Sequence, residues 1–532
     1  MGARVIALDV GEKRPAMAKR RRCLTTTVIL QRNKEQIMKD QLHQTSAEIA
    51  EFLARVHHSL LIDGERVPAS SGARIDAINP STGAVIGDIA AGTAQDVDKA
   101  VRAARAAFEG GWSRWSPYER QAMLFRVYDL LDRRFDELAE LESIDMGAPI
   151  TRTRAAKPAA QRMVQFFAAM ALNVRGETVQ NGLPGTVTTM LVRAPVGVIG
   201  GIVPWNGSLT SIWWIIGAVL ATGCTCVLKP ATEASLTILY LAELLHGIGL
   251  PPGVINVVTG NGSEAGNALA RHSDVDRIAF TGSTETGRRI IEASKTNIKR
   301  LQLELGGKSP DIVFADADLD KAVPGAAMGA LANSGQICYA GARILVQRQI
   351  AAEFSERLAA FVADLRVGHS LDPATQLGPV ISSRQRESIL SFVEAGKREG
   401  ATILTGGSAT GQGDGYFITP AVFADVDMGM TIAREEIFGP VVSVISFDSV
   451  DEAVRIGNQT EYGLAGAVWS RDVSTALTMV NRIHAGVMWV NCYGLIDPLT
   501  GFNGAKMSGY GAKGGLAHLD TYLYNKSVYI QH

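Results

Sequence analysis

Cysteine is scarce, with five residues in a chain of 532 (Cys23, Cys224, Cys226, Cys338 and Cys492). That is too few for a disulfide scaffold in a chain this long. No two of them form a C-x-x-C pair and no tract is histidine-rich, so no metal site is expected. A reducing compartment, the cytoplasm, fits this usage. There is no internal repeat and no low-complexity segment. Net charge is nearly absent, at -1, but it is unevenly spread. Residues 1–37 carry nine Lys/Arg against Asp9, Glu12 and Glu35, which leaves the rest of the chain at -7. A mildly acidic body argues against nucleic acid as a partner. The basic head reads as a disordered leader ahead of Met38. Asp9 and Glu12 spoil a transit peptide, and no apolar core precedes a small-residue cleavage site.

What is present is the balance of a soluble globular protein, 46% apolar and 20% charged. The length suits two to four domains at about 150 residues each. One stretch, Ala194 to Leu228, contains no charge and is long enough to raise a membrane span. Pro204, Asn206, Ser208, Gly200–Gly201 and Gly223 interrupt it, so it parses better as strand (Val196–Val203), turn, buried helix (Leu209–Ala221) and strand (Thr225–Leu228). No membrane partner is expected.

The flanking chain alternates in the same way. Asp96–Phe108 and Arg120–Leu141 have helical periodicity. Val254–Val258, Arg277–Phe280 and Gln302–Leu305 read as strands, while Ala234–Ile248, Gly262–His272 and Gly287–Thr296 read as helices. A second α/β series runs from Asp311–Phe314 to Gly486–Val490. Two βαβ units side by side predict an α/β protein with its site between them. The tail, Thr521–Ile530, has β character without a nearby partner, so an edge strand added to another subunit is expected.

Four places have chemical potential. Cys338 follows a helix and is flanked by Gly335 and Gly341, so its thiolate could be an exposed nucleophile or its side chain a small buried hydrophobe. Glu304, between Leu303 and Leu305, is either a desolvated base or a solvent-facing strand residue. Asn206, in Pro204-Trp205-Asn206-Gly207, serves a turn or aims its amide at an oxyanion. Phe280–Gly287 follows a strand and opens a helix, which suits a phosphate or an ordinary N-cap.

Taken in order, Pro204-Trp205-Asn206, Val227-Leu228-Lys229-Pro230, Phe280–Gly287, Glu304-Leu305-Gly306-Gly307-Lys308, Gly335-Gln336-Ile337-Cys338 and Glu435-Glu436-Ile437-Phe438-Gly439-Pro440 resemble the aldehyde dehydrogenase superfamily from about Leu60 onward. The resemblance implies a Rossmann-like cofactor domain (38–171 and 194–306), an α/β catalytic domain (307–508) and a β oligomerisation arm (172–193 and 515–532). It implies Cys338 as nucleophile, Glu304 as general base, and Asn206 with the Cys338 backbone N–H as oxyanion donors. For NAD⁺ or NADP⁺ it implies Pro204, Trp205, Lys229, Thr232, Glu233, Gly262, Gly282, Ser283, Gly287, Leu305, Glu436 and Phe438. For the substrate tunnel it implies Gly207, Ser211, Trp214, Ile337, Tyr339, Ile496 and Phe502. The product would be the free acid, because the CoA-acylating branch typically lacks the glutamate at Glu304. That branch and a non-catalytic protein on the same fold are the alternatives. A homodimer or homotetramer is expected.

Three departures stand out. Thr232 occupies the place of a glutamate that binds the adenosine 2′-OH in many members, which leaves room for NADP⁺ unless Glu233 swings in. Gly207 and Ser211 are small where the family is bulky, and no Arg or Lys is evident to anchor a second charge. These point to a bulky neutral aldehyde, aromatic or terpenoid-like. Gly501-Phe502-Asn503-Gly504 stands where Pro-Phe-Gly-Gly is usual.

Overall fold

A computed structural model describes residues 45–57, 59–410 and 413–532, so the basic leader, Met38 and Cys23 lie outside the described residues. In the charge-free stretch, Val198–Val203 and Thr225–Pro230 pair as parallel strands. Their side chains alternate across the sheet. Ile199 and Leu228 join the core of Trp213 and Leu220, while Val198 and Val227 join that of Val101 and Leu269. A strand buried on both faces has no polar side, which is why this sequence is an apolar run. The segment expected as one helix is two, Ser208–Ser211 and Trp213–Thr222. Gly223, at φ +82°, ends the second in the left-handed conformation. No helix among the described residues is long and apolar enough to cross a membrane.

The first sheet has eight strands, ordered Glu65–Pro68, Ser59–Ile62, Ile255–Val257, Thr225–Pro230, Val198–Val203, Arg277–Thr281, Arg300–Glu304 and Gly509–Tyr510. From Ile255–Val257 to Arg300–Glu304 all neighbours are parallel. Strand order reverses between Val198–Val203 and Arg277–Thr281, and the carboxyl ends of strands at such a reversal form a ligand crevice. Lys229 and Glu304 lie at those ends, and Pro204 follows directly.

The second sheet has seven strands, from Thr402–Thr405 at one edge to Val487–Val490 at the other, parallel except for its first pair. Here too alternate residues feed two cores, Ile312 and Leu345 on one face, Val313 and Ile344 on the other. The tail strand Leu523–Gln531 pairs antiparallel with Val187–Pro195 of the same chain, to which Glu177–Val179 adds a third strand. No nearby sequence supplies the tail's partner; it comes from the arm of the same chain, with which the family resemblance pairs it.

Caps set the helix bounds. The helix expected over Arg120–Leu141 runs Pro117–Met146, because Ser116 and Glu119 form a reciprocal capping box and Gly147 terminates it at φ +83°. The helix expected from Gly287 starts at Thr284, since the Ser283 hydroxyl accepts from Thr286 N.

Arg343, fully buried at the start of Arg343–Gln347, ties the two sheets' connection down. Its guanidinium donates to the carbonyls of Lys308 (2.9 Å), Ile456 (3.2 Å) and Gly457 (3.0 Å). Arg343→Met leaves these buried acceptors without donors and is expected to cost at least about 2 kcal/mol. A thermal melt lowered by several degrees, with Arg343→Lys falling between the two, is the outcome to look for.

Candidate active site

The chain turns hard before Cys338. Asn333, Ser334 and Gly335 are all left-handed, at φ 55°, 55° and 71°. Non-glycine residues adopt that conformation at a cost of about 1–2 kcal/mol each, so the turn must be held from outside. The Ser334 hydroxyl donates to Gly378 O (2.7 Å), Gln336 Nε2 donates to Asn333 O (3.0 Å), and Gln336 Oε1 accepts from Ile381 N (2.9 Å). A Cβ at Gly335 would overlap the Gly439 carbonyl. Asn206 Nδ2 donates to Gln336 O (2.9 Å), and Asn333 Nδ2 donates to Asn206 O (3.1 Å). An amide has two N–H donors, so Asn206 keeps one in reserve. The sequence signals no role for Asn333, Ser334 or Gln336; only the positive φ angles reveal it.

Charge is buried around this turn. Glu304 is 2% exposed and neither carboxylate oxygen has a partner. Burial pushes its carboxyl up to about 7, against a downward pull from Lys513. Burial also pushes the Cys338 thiol up to about 12; Lys513 pulls it down, while Glu304 and Glu436 push it further up. Glu436 Oε1 accepts from Gly307 N (3.0 Å), and burial raises its carboxyl to about 7. A Cβ at Gly306 would overlap the Glu436 carboxylate, so only glycine permits this approach. The buried Lys308 ammonium is pushed down to about 7.

Two cavities share Pro204, Asn206, Thr281 and Cys338. The larger, about 630 Å³, is lined by Trp205, Lys229, Thr232, Glu233, Gly262, Gly282, Ser283, Glu304, Glu436 and Phe438, among others. Its residues fit a dinucleotide. Burial lowers the Lys229 ammonium to about 8, with the Glu233 charge opposing. A Cβ at Gly262 would meet nothing within 4 Å. Trp205 and Phe438 meet edge to face at 5.3 Å. The Thr232 hydroxyl is already committed to Gly260 O (3.0 Å), and Glu233 is exposed. Gly287 and Leu305 do not line this cavity. They pack on each other, since a Cβ at Gly287 would overlap the Leu305 side chain.

The smaller cavity, about 340 Å³, is lined by all seven expected tunnel residues, Gly207, Ser211, Trp214, Ile337, Tyr339, Ile496 and Phe502. The expectation that no Arg or Lys reaches it is overturned. Arg152, Arg162 and Lys513 also line it, delivered by the helices Ile150–Ala155 and Lys157–Ala171 and by the chain before Gly515–Asp520.

Two mostly parallel α/β sheets, with two cavities meeting at one half-buried cysteine, define a two-lobed enzyme. The chain belongs to the aldehyde dehydrogenase family: the model described as "Aldehyde dehydrogenase family" matches residues 67–528. It is 43% identical over 472 residues to aldehyde dehydrogenase 1 of Tanacetum cinerariifolium, covering 88% of this chain and 94% of that one. It is 42% identical over 475 residues to a mitochondrial benzaldehyde dehydrogenase of Antirrhinum majus, covering 89% and 88%. The NAD⁺ complex of aldehyde dehydrogenase from Bacillus cereus is similar in structure, with TM-score 0.89 and 39% identity over 92% of this chain and 99% of that one.

Glu304 carries a stability signature. Its pKa is about 7 in the fold against an ordinary 4.5, so the folded chain holds a proton that the unfolded chain releases. Stability is therefore lost as pH rises from about 4.5 to about 7, and the loss is complete above that. Glu304→Gln is expected to melt higher than the wild type at pH 8, by up to about 3 kcal/mol, with the difference gone near pH 4.

Proposed function

We propose that this enzyme oxidises an aldehyde to the free carboxylic acid with NAD⁺ or NADP⁺, using Cys338 as nucleophile, Glu304 as general base and Asn206 as oxyanion donor. The observation that carries this is that both cavities reach Cys338 and Asn206, one with room for a dinucleotide and one for an aldehyde. The Cys338 thiolate attacks the carbonyl carbon, and one C–S bond forms. The spare Asn206 N–H and the Cys338 backbone N–H stabilise the developing oxyanion. Held by Lys229, Glu436 and Phe438, a nicotinamide cofactor would supply the hydride acceptor for the resulting thiohemiacetal. Glu304, poised near neutrality, takes a proton from the water that attacks the thioester. The C–S bond then breaks, the acid departs and the sulfur leaves as thiolate.

Lys229, Thr232 and Glu233 are assigned to the adenosine end, Gly262, Gly282 and Ser283 to the pyrophosphate, and Glu436 with Phe438 to the nicotinamide ribose and ring. NAD⁺ is the ligand of the Bacillus cereus neighbour. The substrate body is bulky and aromatic or terpenoid-like, supported by Trp214, Tyr339 and Phe502 in the cavity wall and by the benzaldehyde named for the Antirrhinum relative. Residues 38–171 with 194–306 are assigned as the cofactor unit and 307–508 as the catalytic unit. The three-stranded arm, with Val192, Tyr524 and Tyr529 exposed, suits a homodimer or homotetramer. Free cysteines at Cys224, Cys226, Cys338 and Cys492 accord with a reducing cytoplasm.

The test is NADH formation from benzaldehyde without CoA. Cys338→Ala is expected to abolish turnover by about 10⁴-fold or more. Glu304→Gln is expected to release about one equivalent of NADH per site and then stall, because acylation proceeds and hydrolysis does not. Silence relieved by CoA would instead favour the acylating alternative. A second expectation concerns the cofactor. Glu233→Gln removes a negative charge near Lys229 and is expected to raise NADP⁺ use relative to NAD⁺ about tenfold in kcat/KM.

A further inference from the structure

We infer that the aldehyde cavity selects a substrate whose far end is anionic, a carboxylate-bearing aromatic aldehyde, with Lys513, Arg152 and Arg162 as the specificity-determining residues; this rests on the aldehyde dehydrogenase reading of the same site. The cavity lining contains these three cations and no acidic side chain. Close by, Arg154 and Lys157 pair with Asp136 (3.6 Å) and Asp132 (3.1 Å). Arg152, Arg162 and Lys513 have no such partner among the described residues.

Lys513 is the strongest member. It is 8% exposed, and a buried ammonium without a counter-ion is costly. Its Nζ lies 5.2 Å from the Phe502 ring centre and 6.0 Å from that of Trp214; among the described residues no carboxylate forms an ion pair with it, and Glu304 feels its charge only at longer range. Its position is fixed through the backbone. Lys513 N donates to Asn503 Oδ1 (2.7 Å), and Lys513 O accepts from Phe502 N (2.6 Å). Asn503, the departure noted beside Phe502, thus anchors Lys513 in the cavity wall. A cavity with one sign of charge and low-dielectric walls focuses its field on an entering anion. The guanidinium forks of Arg152 and Arg162 match a carboxylate in shape. A volume of about 340 Å³ is at the small end for ligand pockets, which suits a one-ring aldehyde.

Benzaldehyde and 4-formylbenzoate differ only in the far carboxylate, so the ratio of their kcat/KM values with NAD⁺ isolates its recognition. In the wild-type full chain the ratio is expected to favour 4-formylbenzoate at least tenfold and to fall as salt is raised. Lys513→Met is expected to bring the ratio close to one, chiefly through KM, while Lys513→Arg retains it. The ratio is the readout because Lys513 also acts on Cys338 and Glu304, which both substrates need. Equal wild-type values with benzaldehyde turned over, or a preference that survives in Lys513→Met/Arg152→Met, would overturn the inference and leave the proposed function standing. Turnover of neither substrate with either cofactor would overturn both. Should the variants not fold, inhibition by terephthalate against benzoate in the wild type decides: a tenfold lower Ki for terephthalate supports the inference, and equal values overturn it.

Discussion

The left-handed turn at Asn333–Gly335 is the constraint on which the site depends. Two non-glycine residues there occupy a conformation that an unsupported chain avoids. They stay because their partners come from several directions: Asn206 beyond the end of a first-sheet strand, Gly378 and Ile381 from the second lobe, and Gly439 after the Glu436 motif. Removing any of these supports would relax the turn and move Cys338. The turn is thus one of the places where the two lobes meet. Strain of this kind persists only where the surroundings over-determine it.

Burial is the second constraint, and it follows from the first. Packing around the half-buried Cys338 raises its thiol to about 12, and burial raises the carboxyls of Glu304 and Glu436 to about 7. An acid near 7 is suited to taking and returning a proton at neutral pH. The same burial works against ionisation of Cys338, which the proposed mechanism requires, so that role depends on a nearby cation. Glu304 and Cys338 push each other in the same direction, so protonation of one eases ionisation of the other. Lys513 is the cation that lowers both.

Much of this was legible in the sequence. The strands at Val198–Val203, Thr225–Pro230 and Arg277–Thr281 follow from short apolar runs, since sheets covered on both faces need them. The motifs around Asn206, Lys229, Glu304, Cys338 and Glu436 lie at strand ends or tight turns, where local sequence is most restricted. What stayed hidden depends on contacts between residues far apart in the chain. The tail strand's partner at Val187–Pro195 has no local signal, and neither do the supports of the Cys338 turn. Arg152 and Arg162 sit in a stretch that reads as an ordinary charged helix surface; only the packing of those two helices beside the smaller cavity places half-buried Arg152 and exposed Arg162 in its lining. Gly287 also has a packing role that its motif does not signal, because a Cβ there would overlap the Leu305 side chain.

Lys513 links these threads. Its charge lowers the pKa of Cys338 and Glu304, while its closest contacts are aromatic faces and not an ion pair. An anion that paired with it would cancel part of the field that favours the thiolate. Tight pairing would thus strengthen substrate binding and weaken the nucleophile at once, so the gain from a far carboxylate belongs in KM and not in kcat. Arg152 and Arg162 resolve this conflict. On the proposed reading they would share the substrate's charge, leaving Lys513 only partly neutralised when the cavity fills. A single cation would have to choose between recognition and activation, whereas three, with only one of them pulling on Cys338, can serve both.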